Sequence, residues 1–284
     1  MKFFIVDAFT DKAFGGNPAG VVLLDSGTDF PTAEWMRLLA AELRYSETAF
    51  VRQDGATAFT TRYFTPTGEI DLCGHATIAA FGTLHHEGIV PDGAICHNHT
   101  LAGTLEVSVG STVLMQMAQP VVANSHVDDE RLHRIMAGDA VLQWPEWPVE
   151  IVSTGLPDIM MPVASLDALQ RLAPDMDALS ALSSELGVTG VHAFAIAHDG
   201  YTAHVRNFGP LYGIPEESAT GTANAALTHY RVRRGLLACG SHCRFLQGEA
   251  MQRPSVVETS IADDGRIFVG GQCHIIAQGT LFAS

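Results

Sequence analysis

The chain repeats itself. Ala49-Phe50 is followed, twelve residues beyond the Phe, by Arg62-Tyr63-Phe64-Thr65-Pro66, and Ala193-Phe194 is followed at the same distance by Arg206-Asn207-Phe208-Gly209-Pro210, an offset of 144 residues. The correspondence resumes at an offset of 147, where Gly74-His75-Ala76-Thr77-Ile78-Ala79 matches Gly221-Thr222-Ala223-Asn224-Ala225-Ala226. Each is closed fourteen residues after its first Gly, by Gly88 and Gly235. A period of about half of 284 residues means two copies of one folding unit, not a solenoid of short repeats. Two units also suit a chain at the length where a single core usually stops growing.

Each copy reads alike locally. Residues 48–52 and 57–64 alternate and are rich in β-formers, as are 191–197 and 202–208. The turn dipeptides Asp54-Gly55 and Asp199-Gly200 join them as hairpins. After each R-x-F-x-P comes a turn, a Gly and a helix, over 75–86 and 222–234. Both helices are Ala-rich and carry no charged face until the last turn, so each is expected to be buried on nearly all sides. The unit is therefore a β-sheet curled around one central helix, and the chain is α+β with two pseudo-symmetric lobes. The expected boundaries are 1–116 for an N-terminal lobe, completed by a strand at 275–284, and 117–274 for a C-terminal lobe. A helix over 31–43 precedes the first hairpin, with Pro31 in its first turn and Trp35, Leu38, Leu39 and Leu43 on its apolar face.

Composition excludes several classes. Sixteen Lys+Arg against 31 Asp+Glu give a net charge of −15, which repels nucleic acid and anionic membranes. The longest uncharged stretch, 107–127, holds Ser, Gln, Asn and Pro and is no spanning helix. The opening MKFFIVDAF reaches Asp7 too soon for a signal peptide and reads as a strand. Five cysteines, an odd number, point to reduced thiols and a cytoplasmic protein. The only lysines are Lys2 and Lys12, so neither a phosphate-binding Gly-Lys-Ser/Thr loop nor a pyridoxal lysine is available. No G-x-G-x-x-G follows a strand, and no G-x-S-x-G occurs. Cys96-His97-Asn98-His99 and Cys239…His242-Cys243 lack zinc spacing. The expectation is acid–base chemistry with no cofactor and no metal.

Where the two copies differ, chemistry can hide. Glu47 stands at the start of a strand, and its counterpart is Val191, so a carboxylate is present in one copy alone. Its alternative reading is a solvated strand-entry charge. Cys73, Gly74 and His75 open the first central helix, where the helix terminus would lower a thiol pKa. The counterpart of Cys73 is Thr220, so the chain cannot be a symmetric two-thiol racemase. His75 is a proton carrier or a cap. Glu216 and Glu217 lead into Thr220-Gly221-Thr222 at the second helix, as charged surface loop or as site residues. The unpaired N–H groups near Gly74 and Gly221 suit a substrate carboxylate.

Gly16-Asn17-Pro18-Ala19-Gly20, Ser46-Glu47-Thr48-Ala49-Phe50, Arg62-x-Phe64-x-Pro66, Cys73-Gly74-His75-Ala76 and 216–223, taken together, resemble the phenazine-biosynthesis PhzF-like isomerase family. The resemblance implies the diaminopimelate epimerase-like fold, two lobes each a β-barrel around a central helix with the site between them, and a homodimer. It places the family's catalytic glutamate on Glu47, its active-site histidine on His75, and its acidic loop on 216–223. The loop departs from the family's Glu-Asp-Pro-Ala-Thr-Gly-Ser-Ala at Glu217, Ser218 and Thr222.

The reading that results is a cofactor-independent isomerase of a small carboxylate-bearing metabolite. Glu47, its pKa raised by burial, moves the proton, and His75 and Glu217 bind or polarise the substrate. Cys73, Gly74, Thr220, Gly221 and Thr222 line its carboxylate. Two rivals remain at this point: a one-thiol epimerase or dehydratase using Cys73, and a non-catalytic carboxylate-binding protein.

Overall fold

A computed structural model describes residues 1–136 and 147–282. In chain order the elements begin with β1 (Lys2–Ala8), β2 (Asn17–Leu23), α1 (Ala33–Leu43), β3 (Thr48–Gln53), β4 (Ala58–Phe64), β5 (Glu69–Ile70), α2 (Gly74–His86), β6 (Ala94–Thr100), β7 (Gly103–Val109) and β8 (Val113–Gln116). They continue with β9 (Val121–Val122), α3 (Asp129–Met136), β10 (Glu150–Ser153), β11 (Pro157–Pro162), α4 (Leu166–Gln170), α5 (Met176–Leu186), β12 (Val191–Ile196), β13 (Ala203–Gly209) and β14 (Ile214–Glu217). The last are α6 (Gly221–Val232), β15 (His242–Gln247), β16 (Ser255–Ile261), β17 (Ile267–Gly271) and β18 (Cys273–Thr280). Among the described residues no helix is long and apolar enough to cross a membrane.

Two compact units emerge, Met1–Gln116 with Gly270–Ser284, and Met117–Val269. The C-terminal segment joins the first unit from Gly270, earlier than residue 275. The strand that pairs antiparallel with β1 accordingly starts at Cys273.

The repeat in the sequence is a repeat in strand pairing. In the first unit β1–β2 is antiparallel, β2–β3 parallel, β3–β4 antiparallel, β4–β6 parallel and β6–β7 antiparallel. In the second, β10–β11, β11–β12, β12–β13, β13–β15 and β15–β16 follow the same series. In each unit a short strand, β5 or β14, adds to the second hairpin strand before the central helix begins.

The central helices are buried as their composition requires. From His75 to Leu84 every residue of α2 is buried, against β1, β2, β3, β7, β8 and β18. Nine residues of α6 are buried, and it packs on β10, β11 and β16. Gly88 and Gly235 both turn the chain away at φ +69°, the left-handed conformation that favours glycine after a helix. Helix α1 differs from expectation. It begins at Ala33, so Pro31 precedes its first turn; Thr32 caps it by accepting from the Trp35 N–H, and the inward residues are Met36 and Ala40. Leu38 is 52% exposed, while Trp35 and Leu39 only border the cluster of Val22, Met36, Phe50 and Phe64. Small Ala40 lets the helix sit closer to the sheet than a Leu stripe would.

Candidate active site

Glu47 leads into β3 and is held by its backbone as well as its side chain. The Gly20 N–H on β2 donates to the Glu47 carbonyl at 3.2 Å. A Cβ on Gly20 would come within 2.8 Å of Thr48 Oγ1, so only glycine lets β2 lie this close. Across the unit, Cys73 is the N-cap residue of α2 and His75 its second helical residue. His75 Nε2 lies 3.1 Å from Glu47 Oε2, and His75 Nδ1 lies 3.4 Å from Cys73 Sγ. Cys73 and His75 are 8% and 7% exposed, so the cluster is nearly removed from water.

Burial changes the ionisation of all three, and not as the sequence suggested. Burial alone would push the Glu47 carboxyl up; the hydrogen bond and charge of His75, with hydrogen bonds from Ser46 and Cys73, outweigh it and leave Glu47 below the usual carboxylate range. Burial would push His75 down, but the Cys73 sulfur and the Glu47 carboxylate hold it well above an ordinary imidazole. The Cys73 thiol goes up, because burial outweighs the help of His75 and of the helix N–H groups. The Glu47 carboxylate and the His75 proton thus stabilise each other, and the buried thiol resists ionisation.

A directional chain of hydrogen bonds fixes this helix start. The Thr61 hydroxyl donates to Asn98 Oδ1 (2.7 Å), Asn98 Nδ2 to the Tyr63 hydroxyl (3.0 Å), Tyr63 to Thr77 Oγ1 (2.6 Å), and Thr77 to the Cys73 carbonyl (2.7 Å). All four side chains are buried, and each acceptor position in the chain is filled by the previous donor. The backbone at Cys73 and Gly74 is therefore rigid.

The second unit carries the other expected residues. Glu217 ends β14, and its Oε2 accepts from the Thr220 hydroxyl at 2.8 Å. Gln247 satisfies this turn completely. Its Oε1 accepts from the Thr220 N–H and from Asn224 Nδ2, while its Nε2 donates to the Glu217 carbonyl and to Thr220 Oγ1. Thr220 thus braces Glu217. Gly221 is buried at the first position of α6, and the Thr222 carbonyl accepts from the Thr154 hydroxyl. Glu216 is engaged elsewhere: Arg206 holds both its oxygens, at 2.8 and 2.7 Å. The same bidentate clamp joins Arg62 to Glu69 at 2.7 and 2.6 Å. This explains the arginine of each R-x-F-x-P, and Glu69 was readable, since it lies 147 residues before Glu216. The sequence does not disclose the roles of Gln247, of Gly20 as a brace for Glu47, or of Asn224 beside Thr220; of these only Asn224 is marked by the offset, which pairs it with Thr77.

By distance, Glu47, Cys73 and His75 form the one group among the described residues that could hold a metal, with donor atoms within 4.8 Å of one another. A cation there would first have to displace the imidazolium and thiol protons. On β6, Cys96 and Asn98 point inward while His97 and His99 are exposed, so the period of the strand separates the run.

A family model described as phenazine biosynthesis-like protein (PhzC-PhzF) matches residues 6–279. The chain belongs to this family. An uncharacterized isomerase of Clostridium acetobutylicum is 34% identical over 280 residues, covering 93% of this chain and 90% of that one. The trans-2,3-dihydro-3-hydroxyanthranilate isomerase of Pseudomonas fluorescens is 31% identical over 292 residues, covering 99% of each. Among solved structures, the PhzF-family phenazine biosynthesis protein of Bacillus anthracis superposes with a TM-score of 0.88 at 24% identity, covering 100% of this chain and 99% of that one. This PhzF-family chain therefore has the diaminopimelate epimerase-like fold and is an isomerase by family.

Proposed function

We propose that this PhzF-family isomerase moves a proton between two positions of a small carboxylate-bearing metabolite, with Glu47 as the general acid/base and no cofactor. The observation that carries the reading is the 3.1 Å contact between Glu47 and His75 at the start of the buried helix α2. A base must be ionised to accept a proton and must sit where the acquired proton can be stabilised or passed on. Glu47 is ionised beside an imidazolium, in a setting where charge is poorly screened. It takes the substrate proton as a carboxylate and returns it as a carboxylic acid, so one residue serves both half-steps. His75 keeps the carboxylate oriented and balances its charge. Glu217, with Thr220 bracing it, binds or polarises the substrate, and the N–H groups at Gly74, Gly221 and Thr222 suit its carboxylate. The raised pKa of Cys73 argues against a thiolate base there.

The activity for which the Pseudomonas fluorescens relative is named makes trans-2,3-dihydro-3-hydroxyanthranilate the first compound to try. It should be incubated with the protein in D₂O beside a pool of amino, hydroxy and cyclic unsaturated carboxylic acids, with Glu47→Gln as control. Deuterium entering one compound with the wild-type protein and not with Glu47→Gln supports the reading. Turnover retained by Glu47→Gln overturns it.

A further inference from the structure

One buried histidine is left unused by this reading. His192, on β12 of the second unit, is fully buried, and burial pushes its pKa down to about 3, so the ring is neutral and carries one proton. The place of that proton follows from backbone groups, whose donors and acceptors are fixed. Gln247 Oε1 accepts from the Thr220 N–H at 3.1 Å, and its Nε2 donates to the Glu217 carbonyl at 2.8 Å, so the amide has one orientation. Asn224 Nδ2 lies 2.9 Å from both Gln247 Oε1 and the Thr220 carbonyl. Both are acceptors, so the Asn224 amide is fixed as well and turns its Oδ1 to His192. That oxygen only accepts, and His192 Nε2, 3.3 Å away, holds the ring proton. Nδ1 is left bare and accepts from Asn207 Nδ2 on β13 at 3.3 Å. Asn207 also hydrogen-bonds the carboxyl of Asp158 on β11, which is 1% exposed.

The same polarity reaches Glu217. Gln247 Nε2 also donates to Thr220 Oγ1, at 2.9 Å, and has no lone pair to accept in return. The hydroxyl proton therefore goes to Glu217 Oε2, 2.8 Å away. Comparison of the two units separates this arrangement from a simple brace. In the first, the buried chain stops where Thr77 bonds the Cys73 carbonyl, and Asn224 makes the matching bond to the Thr220 carbonyl. Holding a helix start takes no more than that. In the second unit the network runs on, through Gln247 and Thr220, to the side-chain oxygen of an acid.

We propose that Gln247 is a positioning residue for Glu217: by donating to the Thr220 hydroxyl it leaves that hydroxyl's one proton to Glu217 Oε2, and neutral His192, protonated on Nε2, closes the network that holds the amides in this orientation. This deepens the functional reading and rests on it for the role of Glu217. The arrangement fixes the rotation of the carboxyl group, keeps Oε2 an acceptor and favours the charged form of the acid. A buried network in which every donor meets an acceptor is rigid, and reversing one amide would set donor against donor at its neighbour.

The test needs no substrate. The full-length protein, labelled at the His ring nitrogens and the Glu carboxyl carbons, is titrated by NMR, with Glu217→Gln to assign the Glu217 signal. In wild type His192 should keep a protonated Nε2 and a bare Nδ1 from about pH 5 to about pH 8. A proton on Nδ1 or a charged ring overturns the proposal. In Thr220→Val the Glu217 midpoint should rise by roughly one pH unit or more, as the loss of a hydrogen bond to a charged group requires. Gln247→Met should raise it in the same direction, and the double variant no further than Thr220→Val alone, because Gln247 acts through that hydroxyl. A Glu217 midpoint unmoved in Gln247→Met overturns the proposal, as do shifts that add in the double variant, the result for a brace that merely supports the turn. If Gln247→Met fails to fold, the wild-type ring nitrogens and the midpoint in Thr220→Val still decide the polarity, and an unmoved midpoint there overturns it. Because these signals are read without turnover, they stand or fall separately from the deuterium experiment with Glu47→Gln.

Discussion

His75 Nε2 lies 3.1 Å from Glu47 Oε2 although 28 residues separate the two in sequence, and this contact decides the charge of both. Without the imidazolium, burial is opposed only by the hydrogen bonds of Ser46 and Cys73, and the Glu47 pKa rises. In wild type, proton exchange should therefore be active from mildly acidic pH upward. Its alkaline limb should come only where His75, raised well above an ordinary imidazole, loses its proton. His75→Gln should move the acid limb to higher pH and slow exchange by about 10²-fold, because Glu47 loses the partner that orients it. The pH profile of deuterium wash-in checks this, and an acid limb left in place would contradict it.

Cys73 tests the same cluster from the other side. Its thiol is buried and held above its ordinary pKa, so iodoacetamide should modify it far more slowly at neutral pH than it modifies exposed Cys239. Peptide mapping over time gives both rates in one sample. Cys73→Ser should slow exchange by about tenfold, about 1.4 kcal/mol, through the loss of one contact to His75, and should not abolish it. A dead Cys73→Ser variant that folds normally would restore the thiol mechanism.

The contrast between these residues shows what the sequence could disclose. Spacing made the two units visible, because Arg62 and Arg206, Gly88 and Gly235, and the two Ala-rich helices each occupy equivalent positions in one folding unit. It also exposed Glu47 and Cys73, whose counterparts Val191 and Thr220 lack their chemistry. Through-space partners were hidden. The fall in the Glu47 pKa, opposite to the expected rise, depends on an imidazole delivered by another element. Gln247 reaches Thr220 from a strand that follows the helix, and nothing around Gln247 in the chain marks it. Helix α1 was misread for a related reason: several registers of its apolar residues are compatible with one sheet, and packing chose Met36 and Ala40. Asp158 resembles any strand-entry acid until its burial is known.

That burial has a consequence for stability. Asp158 is raised from an ordinary carboxylate value to about 7 in the folded protein, so the folded state retains a proton that the unfolded chain releases. Its contribution is fully present below about pH 4. The contribution is lost progressively as pH rises to about 7 and stays lost above it. The loss is on the order of 4 kcal/mol. Urea unfolding of wild type and Asp158→Asn at intervals from pH 4 to pH 8 should therefore diverge, with the wild type losing stability relative to the variant as pH rises. A constant difference would show that Asp158 ionises alike in both states.

Gly20 offers a test of how finely Glu47 is placed. Its N–H supports the Glu47 carbonyl, and a methyl group at Gly20 would meet Thr48 Oγ1 at 2.8 Å and Leu43 Cδ1 at 3.2 Å. Thr48 follows Glu47 directly and is fully buried, so it cannot swing away, and the backbone carrying Glu47 must shift instead. Gly20→Ala should cost about 1–3 kcal/mol of stability through overpacking. Exchange should fall by about 10²-fold, because a displacement of roughly 1 Å at a reacting group is enough to lose that much. Gly55→Ala is the matched control: its new Cβ would meet only Ala58 Cβ at 3.5 Å, an ordinary contact in a hairpin turn. Denaturant unfolding and wash-in rates measured on both variants separate the two effects. If Gly20→Ala loses stability while exchange at saturating substrate stays at the wild-type rate, then Glu47 tolerates displacement, and its placement by β2 is structural rather than chemical.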